Sequence, residues 1–291
     1  MNSKNYFITS VTFMVIFILV NITLSILSNF FWDNRIEDKL IKYQISKIKK
    51  NEPIKNIFLG DSSLGNAINA KIFEELSGEK SVNLALYGNA SFEGAYALIQ
   101  NIKSKKNQNI FIVTSLDVWN RSPSPFSYDL VMSHINFTNK IKFLFFNIFN
   151  YNLNIERLKW YLKKNEEYNF FDNDYILQKK NKDFKKNEFK KIKPERIKFL
   201  IEILNFCQKN QLNCVYIHGP IYDEHCLDKN SVKYINEVKY ILKKNRIKSF
   251  NHIFCMKKNE LGDSDDHINP NFKNEFTKIF YSNILKNKLL N

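Results

Sequence analysis

Two short stretches of this 291-residue chain hold residue types that could make and break an ester. The first is Gly60-Asp61-Ser62, directly after the apolar run Ile54-Lys55-Asn56-Ile57-Phe58-Leu59. A serine hydroxyl is a weak nucleophile until a neighbouring base takes its proton, so the chain must also supply a histidine. It has five: His134, His218, His225, His252 and His267. His267 is the best placed, in the polar loop Gly262-Asp263-Ser264-Asp265-Asp266-His267 just before Pro270 and a closing helical stretch. A carboxylate beside the ring would fix its tautomer and stabilise the imidazolium formed during proton transfer. Asp265 is the first choice, because a two-residue offset sends both side chains to the same side of an extended loop. Asp263 is the second. Ser62, Asp265 and His267 together would perform acyl transfer through an acyl-serine, with the Ser62 N–H near a helix N-terminus aimed at the developing oxyanion.

These residues need a scaffold that brings positions far apart in sequence to one edge. Ile54 to Leu59, Ser81 to Leu86, Asn109 to Ser115, Cys214 to Ile217 and Lys248 to Ile253 read as short buried strands. Helical spacing follows them, after Ser62, over Phe92–Ile102, after Pro194, over Ser231–Lys244 and over Pro270–Leu289. Alternating strands and helices predict an α/β three-layer sandwich on a parallel sheet. Ligands in such folds bind beyond the carboxyl ends of the strands. The informative residues there are Gly60 to Ser62, Gly88-Asn89, Asp117 to Asn120 and His218. Residues 121–193, rich in Phe, Tyr and Lys, break the alternation and read as a helical insertion over that edge. Trp119, Phe143–Phe149 and Trp160–Phe171 read as core and cap packing ahead of a sugar-stacking platform. Asp61 caps the following helix or braces the site. His218 and His225 are either substrate contacts or satisfied loop histidines.

Composition narrows the rest. Phe7 to Phe31 carries no charge and is dominated by Phe, Val, Ile and Leu, enough to span a bilayer core. Residues 1–31 are read as a transmembrane signal anchor in contact with lipid through residues 7–31, and 32–53 as a charged stalk closed by Pro53. Residues 54–291 form the α/β domain. Lys4 on one side and Arg35, Lys39 and Lys42 on the other leave the positive-inside count undecided. The usual arrangement of a signal anchor puts the large domain outside the cytoplasm. The net charge of +15 is carried by scattered lysines without the basic face that nucleic acid requires, so no nucleic-acid partner is expected. The densest cluster, Lys179–Lys193, reads as a solvated segment, with contact to an anionic polymer as the weaker alternative. Cys207, Cys214, Cys226 and Cys255 lack metal-ligand or Cys-x-x-Cys spacing, so no metal or cofactor is expected. Cys207 and Cys214 are near enough to pair, with free buried thiols as the alternative. A disulfide scaffold is not expected in a chain of this size.

The ordered blocks, Gly-Asp-Ser after the first strand, a glycine after the second and an Asp-x-His loop before the last helix, resemble the SGNH (GDSL-like) hydrolase family. The resemblance runs from about Ile54 to the C-terminus and implies a flavodoxin-like α/β/α sandwich. It implies Ser62 as nucleophile, His267 as base, Asp265 as its orienting acid, and the Ser62 and Gly88 N–H groups as oxyanion hole. The third block departs from the family's Gly-x-Asn-Asp and reads Ser115-Leu116-Asp117-Val118-Trp119-Asn120, so Asn120 or Asn89 must replace the missing donor. The resemblance further implies a membrane-anchored esterase or O-acyltransferase acting on acyl, above all acetyl, esters of a cell-envelope polysaccharide. A multi-spanning acyltransferase is the implied partner. The competing expectation is a non-catalytic binding or scaffold protein of an envelope-polymer assembly complex, favoured by the altered third block.

Overall fold

The computed structural model describes residues 3–30, 35–49, 54–103, 106–162 and 188–290. Its strands are β1 (Asn56–Gly60), β2 (Ser81–Ala85), β3 (Asn109–Thr114), β4 (Asn213–His218), β5 (Ile221–Tyr222), β6 (Ser249–Phe250) and β7 (Cys255–Met256). Five of them form a parallel sheet in the order β2-β1-β3-β4-β6. This is an α/β architecture compatible with a flavodoxin-like fold. The chain reverses its winding between β1 and β3, and in such sheets the crevice for a ligand lies at that point, beyond the strands' carboxyl ends. The expected fifth strand is reduced to Ser249–Phe250, and the parallel pair β5–β7 was not foreseen.

Every residue of β1, β2 and β3 is buried, which is why these strands read as mainly apolar runs, with Asn83 in β2 the exception within a strand. On one face Phe58 and Phe111 stack at 5.0 Å and meet Phe73 and Phe280 from the helices Ala70–Ser77 and Lys273–Lys286. On the other, Tyr216 lies against Phe92 of the helix Ser91–Ile99 and against Trp119. The Trp119 indole N–H donates to the Tyr216 hydroxyl at 2.9 Å, so this tryptophan is core packing. Gly60 ends β1 where β3 passes so close that a Cβ would sit 1.7 Å from the Val113 carbonyl oxygen. Gly60→Ala must therefore force the two central strands apart. It is expected to cost about 3 kcal/mol or more, read as a lowered Tm of the purified chain.

Two disulfides, Cys207–Cys214 and Cys226–Cys255, pair all four cysteines. The first was one of two alternatives. The second spans 29 residues that only the fold brings together, and it overturns the expectation of a chain without a disulfide framework.

The segment read as a stalk is the helix Ile36–Lys49 among its described residues. From Tyr43 onward it belongs to the unit that contains the sheet. Gln44 donates to the Ala85 carbonyl at 2.6 Å and Lys47 to that of Asn83 at 3.0 Å, so this half of the helix satisfies carbonyls of the edge strand β2 instead of standing free.

A separate compact unit comprises, among the described residues, 3–30, 35–42 and 132–162. Its first helix, Ser3–Phe30, is long and apolar enough to cross a membrane. The stretch expected as a cap is thus divided. Its start, through Val131, packs with the sheet, and the helices Phe137–Phe146 and Tyr151–Leu162 pack with the apolar helix. The side chain of Trp160 and residues 163–187, including most of the Lys179–Lys193 cluster, lie outside the described residues. Lys193, at the end of that cluster, is tied to the sheet unit by its N–H on the Trp119 carbonyl and its ammonium on Ser122.

Candidate active site

Ser62 opens the short helix Ser62–Ala67 directly after β1. Asp61 caps that helix, its carboxylate accepting the Ser63 N–H at 3.1 Å and the Ser63 hydroxyl at 2.9 Å. The same carboxylate accepts the Ser115 N–H and hydroxyl from the turn after β3. Asp61 thereby ties the two strand ends that flank the crevice. Burial pushes its pKa up, opposed by the Arg121 charge. Because Ser62 is the first helical residue, its N–H has no intrahelical acceptor.

His267 reaches Ser62 from the other end of the chain, with its Nε2 3.0 Å from the Ser62 Oγ. Its Nδ1 lies 2.8 Å from the Asp263 carboxylate. In the neutral ring with Nδ1 protonated, Nδ1–H donates to Asp263 and Nε2 accepts from the serine hydroxyl, the orientation that proton abstraction requires.

The acid at this position is Asp263, not Asp265, and the loop's shape explains the difference. The loop is a tight turn in which the His267 N–H returns to the Ser264 carbonyl, the Gly262 N–H bonds the His267 carbonyl, and Leu261 bridges Ile268. In a turn, positions four apart converge and a residue at the apex points elsewhere, so the extended-loop argument fails here. Asp265 instead holds His225, its Oδ2 lying 2.7 Å from Nε2. That buried pair stands beside the Cys226–Cys255 disulfide.

Asp266 adds a second carboxylate 3.8 Å from His267 Nε2. Its own pKa is raised by burial, with His267 opposing. Burial of His267 disfavours its charged form, but Asp266, Asp263 and Asp61 outweigh that and carry its pKa up to about 9.

Gly88 lies in the turn after β2 and faces Arg121, a residue the sequence reading passed over except as a boundary. The guanidinium donates from Nη1 to the Gly88 carbonyl at 2.6 Å and from Nη2 to Asp117 at 2.5 Å. A Cβ on Gly88 would come within 2.8 Å of Nη1, so a side chain there would displace the guanidinium from this position. Asp117 in turn lies 2.5 Å from the Ser115 hydroxyl, competing with Asp61 for its single proton. Burial works against the Arg121 charge, but Asp117, Asp61 and Asp266 raise its pKa above the ordinary value and keep it protonated. The four-residue offset between Asp117 and Arg121 is a helical ion-pair spacing and is the signal that would have found it.

Of the two proposed replacements for the missing third-block donor, Asn120 has its amide engaged elsewhere. Asn120 donates its amide to the Glu188 carbonyl at 3.1 Å, and Asn89 is exposed, its carbonyl taken by the Ser127 hydroxyl. His218 is fully buried against Tyr216, and burial with the Lys239 charge lowers its pKa to about 3. It is a neutral core residue. Among the described residues, no group of three or more His, Cys, Asp or Glu side chains is placed to hold a metal ion. Comparison of the chain with protein-family models, with curated proteins and with solved structures finds no match.

Proposed function

We propose that this protein is a membrane-anchored serine esterase or O-acyltransferase of the SGNH type. Its substrates are acyl esters, acetyl esters first among them, of a cell-envelope polysaccharide. The observation that carries this reading is the continuous relay from Ser62 Oγ to His267 Nε2, at 3.0 Å, and from His267 Nδ1 to Asp263, at 2.8 Å, at the carboxyl ends of the strands. The four paired cysteines favour an oxidising compartment, and so the extracytoplasmic side, for the sheet-containing unit. The anchor is the helix Ser3–Phe30. The polymer and a multi-spanning acyltransferase as donor follow from the family resemblance alone.

In the first step His267 Nε2 takes the Ser62 proton as Oγ attacks the acyl carbonyl. The negative charge that forms on the carbonyl oxygen is met by the N–H groups of Ser62 and Gly88, with Arg121 bracing the Gly88 turn and contributing positive charge. The imidazolium then protonates the leaving oxygen, and an acyl-Ser62 ester remains. Water or a sugar hydroxyl attacks that ester by the same route in reverse, giving hydrolysis or transfer.

Only the neutral ring can act as base. With the His267 pKa near 9, kcat/KM for p-nitrophenyl acetate is expected to rise about tenfold per pH unit from neutrality and to level off above that value. A profile that is flat across this range in a folded protein contradicts the assignment of His267 as base. The same raised pKa favours a second reading, a non-catalytic binding or scaffold protein of an envelope assembly complex, since the ring is largely charged at neutral pH. That reading predicts no ester turnover on the alkaline side.

A further inference from the structure

The unit that holds the apolar helix buries a charged cluster beside Phe143, Leu144 and Leu153 and leaves other large apolar side chains outside. At its centre the Asp38 carboxylate accepts from Arg157 at 3.0 Å and from Arg35 at 3.2 Å, and its other contact is the His134 ring at 2.9 Å. Asp38 and Arg157 are fully buried. The Ser28 hydroxyl donates to Asn154 at 2.6 Å, and Asn21, Ser25 and Ser28 form the buried face of the apolar helix, spaced four and three residues apart. Outside, Phe145 (66% exposed), Phe146 (85%), Phe149 (56%), Tyr151, Ile155 and Leu162 face away from the unit. Tyr151, Ile155 and Leu162 lie at helical spacing, so they make one continuous outward stripe. Water-soluble folds place such residues the other way round, and contiguous apolar surface of this kind marks an interaction face.

We propose that the hairpin of the helices Phe137–Phe146 and Tyr151–Leu162 dips into the lipid bilayer beside the apolar helix and buries its Phe-rich bend among the acyl chains. The proposal rests on reading Ser3–Phe30 as a membrane span. What identifies lipid as the occupant is continuity: the helix is exposed along the whole of Ser3–Val20, and the hairpin's apolar surface begins where that surface is covered. The Tyr151 ring lies 6.3 Å from that of Phe17, which sets the depth. Phe17 is 13 residues beyond Lys4. At 1.5 Å per residue that is about 20 Å into a hydrocarbon core of about 30 Å. The bend therefore lies about 10 Å below the surface nearer Arg35, the depth at which amphipathic interfacial helices ride. Lys142 and Lys159, both exposed, have stems long enough to carry their charges back toward the headgroups.

Phe146→Trp and Phe13→Trp variants of the full chain, reconstituted in phosphatidylcholine vesicles with brominated acyl chains, test this. The emission added by each tryptophan over the parent protein is the readout. Both are expected to be blue-shifted and to lose most of that emission to bromine, Phe146→Trp most strongly with bromines at shallow chain positions. Quenching of Phe13→Trp with unquenched, red-shifted emission from Phe146→Trp overturns the hairpin and leaves the span standing. Absence of quenching from both overturns the two together.

Discussion

Alanine at Ser62 or at His267 is expected to lower kcat for ester cleavage by about 10³- to 10⁶-fold, leaving the fold intact. The two losses should be similar and should not multiply in the double variant, because nucleophile and base act as one unit and removing either leaves only the binding and oxyanion contributions. Ser62 Oγ faces His267 Nε2 at 3.0 Å, and the helix it opens is capped by Asp61 rather than by Ser62 itself. The substitution therefore removes chemistry without removing the cap. A steady-state assay with p-nitrophenyl acetate, beside a thermal melt of each variant, separates lost rate from lost structure.

The second large effect distinguishes the two aspartates of the same loop. Asp263→Asn is expected to lower kcat/KM by about 10²- to 10⁴-fold, because the amide can present the wrong group to Nδ1 and the imidazolium loses its stabilising charge. It should also move the ascending limb of the pH profile to lower pH, since Asp263 is one of the carboxylates that raise the His267 pKa. Asp265→Asn weakens the bond to His225 instead, and is expected to cost stability of about 1 to 3 kcal/mol while the pH limb stays in place. Measuring kcat/KM against pH for both variants decides between the geometry of the turn and the simple reading of Asp-x-His. The reverse pattern, with Asp265→Asn the slower enzyme, contradicts the assignment.

The strands β1 to β4 were legible because they are almost wholly buried and therefore read as mainly apolar runs of strand length, each followed by a turn. The positions of Ser62 and His267 followed, since both sit at predictable places, just after a strand and just before a helix. The choice between Asp263 and Asp265 was not legible, because it depends on one turn hydrogen bond, from the His267 N–H to Ser264, that reverses which neighbours converge. Arg121 was missed for a related reason: its partners, Gly88 and Asp117, come from turns after two different strands. The Cys226–Cys255 bridge likewise joins segments that only the β5–β7 pairing places side by side. Phe145, Phe146 and Phe149 look like core residues in sequence, and only the packing of the helices shows that Phe143 and Leu144 are buried while these three face outward.

The most direct test of the central claim is to trap the acyl-enzyme. Full-length protein mixed with p-nitrophenyl acetate at alkaline pH and quenched in acid within a turnover should gain one acetyl group. Peptide fragmentation should place it on Ser62 and not on the adjacent Ser63, and Ser62→Ala should carry none. A folded protein that turns over the ester yet gains no acetyl group, or that carries it elsewhere and keeps it in Ser62→Ala, contradicts the account.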